Sequence, residues 1–142
     1  MKELITSKIC MTKDIGICGN MFGGNLLAIL DEAGAMFSTK LIQSKSIVTL
    51  KIEEVLFIHP IKTGDLIEIY GELIKFGNTS VTIKLTVKSI NPDLTVNNPL
   101  YSQEICTTTM VFVKVGKDGK SDHISYSARE EMQIRLDKCL PG

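Results

Sequence analysis

Residues 25–41 read NLLAILDEAGAMFSTKL. The run is apolar and rich in helix formers. Its apolar positions, Leu26, Leu27, Ile29, Leu30, Ala33, Ala35, Met36 and Phe37, point nearly all round a helix instead of along one stripe. A helix of that kind has to be covered on most sides. Just before it, residues 13–24 (KDIGICGNMFGG) hold glycines at 16, 19, 23 and 24. That density marks a loop that needs positive φ or close backbone approach. Asn25, or the glycine before it, is placed to cap the helix.

Beyond the helix the pattern changes to period two. Residues 46–59 (SIVTLKIEEVLFIH) read as a strand, with Glu53-Glu54 interrupting the alternation as a bulge does. Pro60 and Thr63-Gly64-Asp65 end it. Residues 66–76 form the next strand, and Gly77-Asn78 is a turn signal. Residues 79–90 alternate cleanly, 91–99 form a polar loop, and 101–115 form a last long strand closed by Gly116-Lys117-Asp118-Gly119. Residues 126–138 read as a short amphipathic tail helix. On the other side of the glycine loop, residues 3–12 read as a short strand with Ile5, Ile9 and Met11 on one side. Consecutive strands after one helix make a mostly antiparallel sheet in an α+β arrangement. A curved sheet wrapped round the helix covers it, and a second copy covers more. No repeat or linker divides the chain. Residues 1–142 therefore read as one domain, with a core over 3–115 and a turn and tail helix over 116–142.

Composition narrows the function. The chain has 142 residues, with Lys+Arg 16 and Asp+Glu 16, so its formal net charge is zero. No basic excess drives binding to a phosphate backbone, which argues against a nucleic-acid partner. Hydrophobic residues at 44% and charged residues at 23% are globular values. A neutral chain gains little solubility from self-repulsion and suits self-association. No apolar run approaches the roughly 18 residues of a membrane span. Met1-Lys2-Glu3 is not followed by the apolar segment of a signal peptide. Cys10, Cys18, Cys106 and Cys139 form no C-x-x-C pair, and the two histidines, His59 and His123, lie far apart. These features point to free thiols in a reducing cytoplasm and to no zinc site. Any chemistry then rests on carboxylates, hydroxyls, amides or backbone groups.

Two features can carry such chemistry. Asp31-Glu32 places two carboxylates in the apolar helix, and a buried carboxylate is costly unless paired or solvated. Asp31 has Ala28, Gly34 and Ala35 as helix-surface neighbours, which leaves open space beside it. Desolvation in such a space makes a carboxylate a stronger base. The plainer reading is a solvated face, and Glu32 is an equal candidate at this point. Gly23-Gly24 begins the helix, where N–H groups have no intrahelical partner and the dipole is positive. A ligand oxygen could be polarised there; the plainer reading is a tight turn. The Gly77-Asn78-Thr79-Ser80 turn can offer N–H and hydroxyl groups to a phosphate, or be an ordinary hairpin. His59 reads as a surface residue and Cys18 as a small filler.

Several of these stretches together resemble a known family. Gly19-Asn20-Met21-Phe22-Gly23-Gly24-Asn25-Leu26-Leu27 followed by Leu30-Asp31-Glu32-Ala33-Gly34 is similar to the glycine loop and helix of hotdog-fold acyl-CoA thioesterases. The branch with the nearest resemblance holds the YciA-type enzymes and the brain-type acyl-CoA hydrolases. Val48-Thr49, Phe57-Ile58-His59-Pro60-Ile61-Lys62-Thr63-Gly64-Asp65 and Gly77-Asn78-Thr79-Ser80-Val81 resemble its later signatures, in order, between about Asp14 and Val115. The resemblance implies Asp31 as the catalytic carboxylate, acting as general base or nucleophile, and gives Glu32 no role. It implies that the helix start at Gly24 polarises the thioester carbonyl and that Asn20, Phe22 and Gly23 beside it bind the substrate. It implies that Thr49 lines the site from across a dimer interface and that Gly77, Asn78, Thr79 and Ser80 lie near coenzyme A. Dimers that assemble into hexamers, as trimers of dimers, are also implied. One departure stands out: Gly16 occupies a position where relatives often carry asparagine.

The expected reaction is hydrolysis of fatty acyl-CoA to free fatty acid and coenzyme A, without metal or cofactor beyond the coenzyme A of the substrate. One alternative is an acyl-CoA binding module that does not cleave its ligand, because a fold does not fix a function. Another is a hotdog dehydratase, but neither histidine lies on the central helix.

Overall fold

The computed structural model describes residues 2–138; Cys139 lies outside them. Strand β1 (Glu3–Ile9) is followed by a short 3-10 turn at Thr12–Asp14 and the long helix α1 (Gly23–Ile42). Then come β2 (Ile47–Ile52), β3 (Leu66–Phe76), β4 (Ser80–Ile90), β5 (Ser102–Lys114) and helix α2 (Tyr126–Lys138). The five strands form one antiparallel sheet in the order β1-β3-β4-β5-β2, so β1 and β2 are its edges. Register shifts at Leu4/Thr6, Thr49/Lys51, Leu73/Lys75 and Val87/Lys88 bend the strands. Such bulges increase local twist and let a sheet curve round a helix.

The core lies between α1 and the concave face of the sheet. Leu26, Leu30, Ala33, Phe37 and Leu41 pack on Ile67, Ile69, Val81, Ile83, Leu85, Met110 and Phe112. Gly34 is where the helix comes closest: a Cβ there would sit 3.0 Å from Met110 Sδ and from the Phe112 ring. α2 closes one end by burying Ala128 and Met132 beside Ile124.

Three expectations change in detail. Within the chain α1 is buried on one face only, and Leu27 and Met36 on the other face remain exposed. The sheet curves under the helix and does not surround it. The strand expected over 46–59 ends at Ile52. Beyond it the regular ladder stops, and the chain bonds to β5 through Glu53 N to Thr109 O (2.9 Å), Thr108 Oγ1 to Glu53 O (3.2 Å) and Ile58 N to Ile105 O (2.9 Å). The helix cap is Phe22, which makes no side-chain cap bond, and not Asn25 or a glycine. Asn25 Nδ2 instead donates to Asp14 O at 3.3 Å, which ties the helix start to the preceding loop.

Candidate active site

Asp31 lies in the middle of α1, half-buried. Thr49 Oγ1, from edge strand β2, donates to Asp31 Oδ1 at 2.8 Å. This bond fixes the carboxylate and occupies one oxygen. Among the described residues Oδ2 has no partner, so it faces open space as a free acceptor. Thr49 therefore serves Asp31 of its own chain, where the resemblance implied a contribution from across an interface. Glu32, next in sequence, is exposed and turned about 100° round the helix.

The start of α1 is built differently. Phe22 O accepts from Asn25 N (3.0 Å) and Leu26 N (3.2 Å). The N–H groups of Gly23 and Gly24 have no partner among the described residues. They carry the positive end of the helix dipole. At Gly24 a Cβ would meet Phe22 Cε2 at 2.7 Å, so any side chain there displaces the Phe22 ring. At Gly23 a Cβ would approach Phe57 Cε2 at 3.3 Å. The two half-exposed rings thus flank a bare stretch of backbone. A cleft of about 290 Å³ opens here, lined by Asn20, Gly23, Phe57, His59 and Ile105 among others.

Buried Asp14 holds this loop in place. Its Oδ2 accepts from Met11 N at 3.0 Å and lies 3.7 Å from Lys8 Nζ, and its backbone O accepts from Phe22 N at 2.8 Å. Lys62 Nζ donates to Asn20 Oδ1 at 2.6 Å. Neither Asp14 nor Lys62 stood out in the sequence as a support of the site. The buried carboxylate lies three residues after Met11, a local turn pattern, but nothing in the order of residues pairs Lys62 with Asn20.

The Gly77–Ser80 turn joins β3 to β4, with Gly77 N donating to Ser80 O at 2.8 Å. Thr49 and Val81 both pair with Phe112 on the strand between them. The turn therefore begins two strand spacings, about 10 Å, from Thr49. The helix start lies elsewhere: it sits by Ile105, whereas the turn sits by Val113. Eight residues along β5 separate these by about 27 Å. One chain brings Asp31 and Thr49 together and keeps the turn near them, but it leaves Asn20, Phe22, Gly23 and Gly24 at the far end. Cys18 is exposed, and Cys10 and Cys106 are buried and free. Among the described residues no three His, Cys, Asp or Glu side chains gather where they could hold a metal ion, and no helix is long and apolar enough to cross a membrane.

Comparison with known proteins agrees with this architecture. The model of the thioesterase superfamily matches residues 18–96, the helix, β2, β3, β4 and the turns between them. The acyl-CoA thioester hydrolase YciA of Salmonella typhimurium is 28% identical over 121 residues, covering 83% of this chain and 86% of the relative. The solved structure of HI0827, a hexameric broad-specificity acyl-coenzyme A thioesterase in a mutant form, superposes with a TM-score of 0.84 at 26% identity, covering 96% of each chain. Cj0915, a hexameric hotdog-fold thioesterase of Campylobacter jejuni, gives 0.80 at 27% identity, covering 92% of this chain and 96% of that one. With its antiparallel sheet curved under a long helix and a family match over more than half its length, the chain belongs to the thioesterase superfamily and has the hotdog fold.

Proposed function

We propose that the chain is an acyl-CoA thioesterase that hydrolyses the thioester of fatty acyl-CoA to the free acid and coenzyme A. The observation that carries this reading is the Asp31 carboxylate. One oxygen is held by Thr49 at 2.8 Å and the other is free, in a chain whose relatives are named for this hydrolysis. As general base, Asp31 Oδ2 takes a proton from water while the water oxygen attacks the carbonyl carbon. The C–S bond then breaks, and the proton passes to the departing thiolate. As nucleophile, the same oxygen attacks the carbon directly, and the C–S bond breaks to release coenzyme A as its thiolate. Water then cleaves the mixed anhydride, giving the free acid and the carboxylate while its proton goes to the thiolate. Either route builds negative charge on the carbonyl oxygen, which the free N–H groups at Gly23 and Gly24 are suited to stabilise. Coenzyme A enters as part of the substrate, and the route uses no metal or other cofactor.

The spacing of these groups calls for two chains. Asp31 and Gly24 are seven residues apart, about 10 Å along the helix axis. N–H groups at a helix start point away from the helix body. A carbonyl oxygen bonded to Gly24 therefore lies farther still from Asp31 of the same chain. An attacking water and its base span only ~6 Å from that oxygen at hydrogen-bond distances. In this reading Asp31 and Thr49 of one chain face the helix start of another. In this reading dimers supply that arrangement and three of them make a trimer of dimers, an assembly of the same size as the hexameric relatives. Cys10, Cys18 and Cys106 as free thiols support a cytoplasmic location. The reading includes neither a nucleic-acid nor a membrane partner.

The test is thiol release from acyl-CoAs of increasing chain length. Wild type is expected to release coenzyme A, and Asp31→Asn to fold and lose most of the rate. Coenzyme A binding without thiol release would instead mark a binding module.

A further inference from the structure

We propose that Arg129, in the first turn of α2, is a positioning residue that sets the Gly77–Ser80 turn for the anionic nucleotide end of coenzyme A. The inference rests on the acyl-CoA reading above and adds to it a role for the C-terminal segment, which lies outside the stretch matched by the family model.

Asn78, at the tip of the turn, is gripped twice from the C-terminal segment. Ile124 N donates to Asn78 O at 2.7 Å, and Arg129 Nη1 donates to Asn78 Oδ1 at 3.2 Å. The guanidinium is itself aimed by a second bond, from Nε to Ile124 O at 3.1 Å. Its backbone is held as well: Arg129 N donates to Ser125 O at 3.0 Å, and Ser125 Oγ accepts from Ala128 N at 3.1 Å. Buried Ile124 and Ala128 root this bracket in the core. An exposed hairpin tip would otherwise sample many conformations.

The bracket has a chemical consequence. With Oδ1 of Asn78 turned to Arg129, its Nδ2 donor points away from the bracket. The backbone N–H groups of Asn78 and Thr79 have no partner among the described residues. Three donors are thus available on one small tip. The positive charge beside them is also uncompensated, because no carboxylate pairs with Arg129 among the described residues. Nearby Lys114 differs: its Nζ is spent on His123 O at 3.0 Å and lies 3.7 Å from Asp122. Fixed donors around one unpaired cation favour a phosphate, and pre-ordering lowers the cost of binding it.

The experiment compares an acyl-CoA with the same acyl group on pantetheine, which keeps the thioester and lacks the nucleotide. In Arg129→Gln the KM for acyl-CoA is expected to rise about tenfold, as for loss of a hydrogen bond to a charged group, with kcat within about twofold. The kinetics with acyl-pantetheine are expected to stay at the wild-type level. Arg129→Lys, which keeps the charge and loses the fork, should fall between. Direct titration with coenzyme A should give the same order of affinities. Equal effects on both substrates, a fall in kcat alone, or unchanged affinity in Arg129→Gln would overturn the proposal and leave the acyl-CoA reading standing. A wild type that neither binds coenzyme A nor prefers acyl-CoA to acyl-pantetheine would overturn both.

Discussion

Thr49 ties the Asp31 carboxylate to the edge of the sheet. The 2.8 Å bond leaves one carboxylate oxygen oriented and free. Removing the carboxylate should cost far more than removing its guide. Asp31→Asn is expected to lower kcat by roughly 100- to 10,000-fold, the span of a lost general base. Thr49→Val should lower it by only about tenfold, near the low end for one hydrogen bond to a charged group. Steady-state rates on one acyl-CoA check both, and equal losses would mean that Thr49 does more than orient Asp31. Cys106 gives a second test at this scale, of stability. Burial, with Glu104 adding to it, pushes its thiol from the ordinary 9.0 up to about 11. Between those values the unfolded chain ionises the thiol and the folded chain does not. Its contribution is therefore full below pH 9.0 and is lost as pH rises towards 11. Denaturation midpoints at pH 8 and 10.5 should fall more steeply in wild type than in Cys106→Ala; parallel slopes would show that the thiol titrates alike in both states.

At the scale of elements, α1 explains both what the sequence discloses and what it hides. Its buried face runs through Leu26, Leu30, Ala33, Gly34, Phe37 and Leu41, and Gly34 lets the helix settle on Met110 and Phe112. Gly34→Ala would gain ~1 kcal/mol in helix propensity, but the added Cβ meets three buried atoms at 3.0 Å. Overpacking of that kind costs about 1–3 kcal/mol, so the variant should melt lower; a raised melting temperature would show that the sheet yields. Periodicity disclosed the strands well, because the alternation in 79–90 has one buried and one largely half-buried face to obey. It overextended β2, because 55–58 is apolar for a reason other than pairing within the chain: Leu56, Phe57 and Ile58 are exposed. An all-round apolar helix was legible in the same way, while the identity of its second cover was not. The Asp31 and Gly24 signals were readable as small residues beside a carboxylate and a glycine pair at a helix start. The Asn20–Lys62 and Asn78–Arg129 bonds were not, since they join residues 42 and 51 positions apart.

Across the whole molecule, exposed apolar groups gather on edge strand β2 and the open face of α1, where the proposed two-chain site would seat a second chain. Val48, Leu50 and Ile52 on edge strand β2 are exposed, as are Leu27 and Met36 on the open face of α1. An uncovered apolar edge strand is a template for pairing, and monomers rarely leave one bare. The same assembly would resolve the distance between Asp31 and Gly24, because a two-fold contact gives each site one group from either chain. This arrangement makes a prediction that a site within one chain does not. Take Asp31→Asn, which lacks the carboxylate, and Gly24→Val, whose side chain crowds Phe22 and covers the free N–H groups. Each alone should be nearly inactive. In a mixed dimer one site carries both lesions, and the other has an intact Asp31 facing an intact Gly24. Random mixing makes half of the dimers mixed, with one good site in two, so co-expression should restore about a quarter of wild-type activity. Leu50→Lys should abolish that recovery by charging the pairing edge, and sedimentation should show smaller particles. If the two variants together stay as inactive as each alone, while sedimentation shows intact assemblies, then Asp31 and Gly24 do not serve one carbonyl across chains.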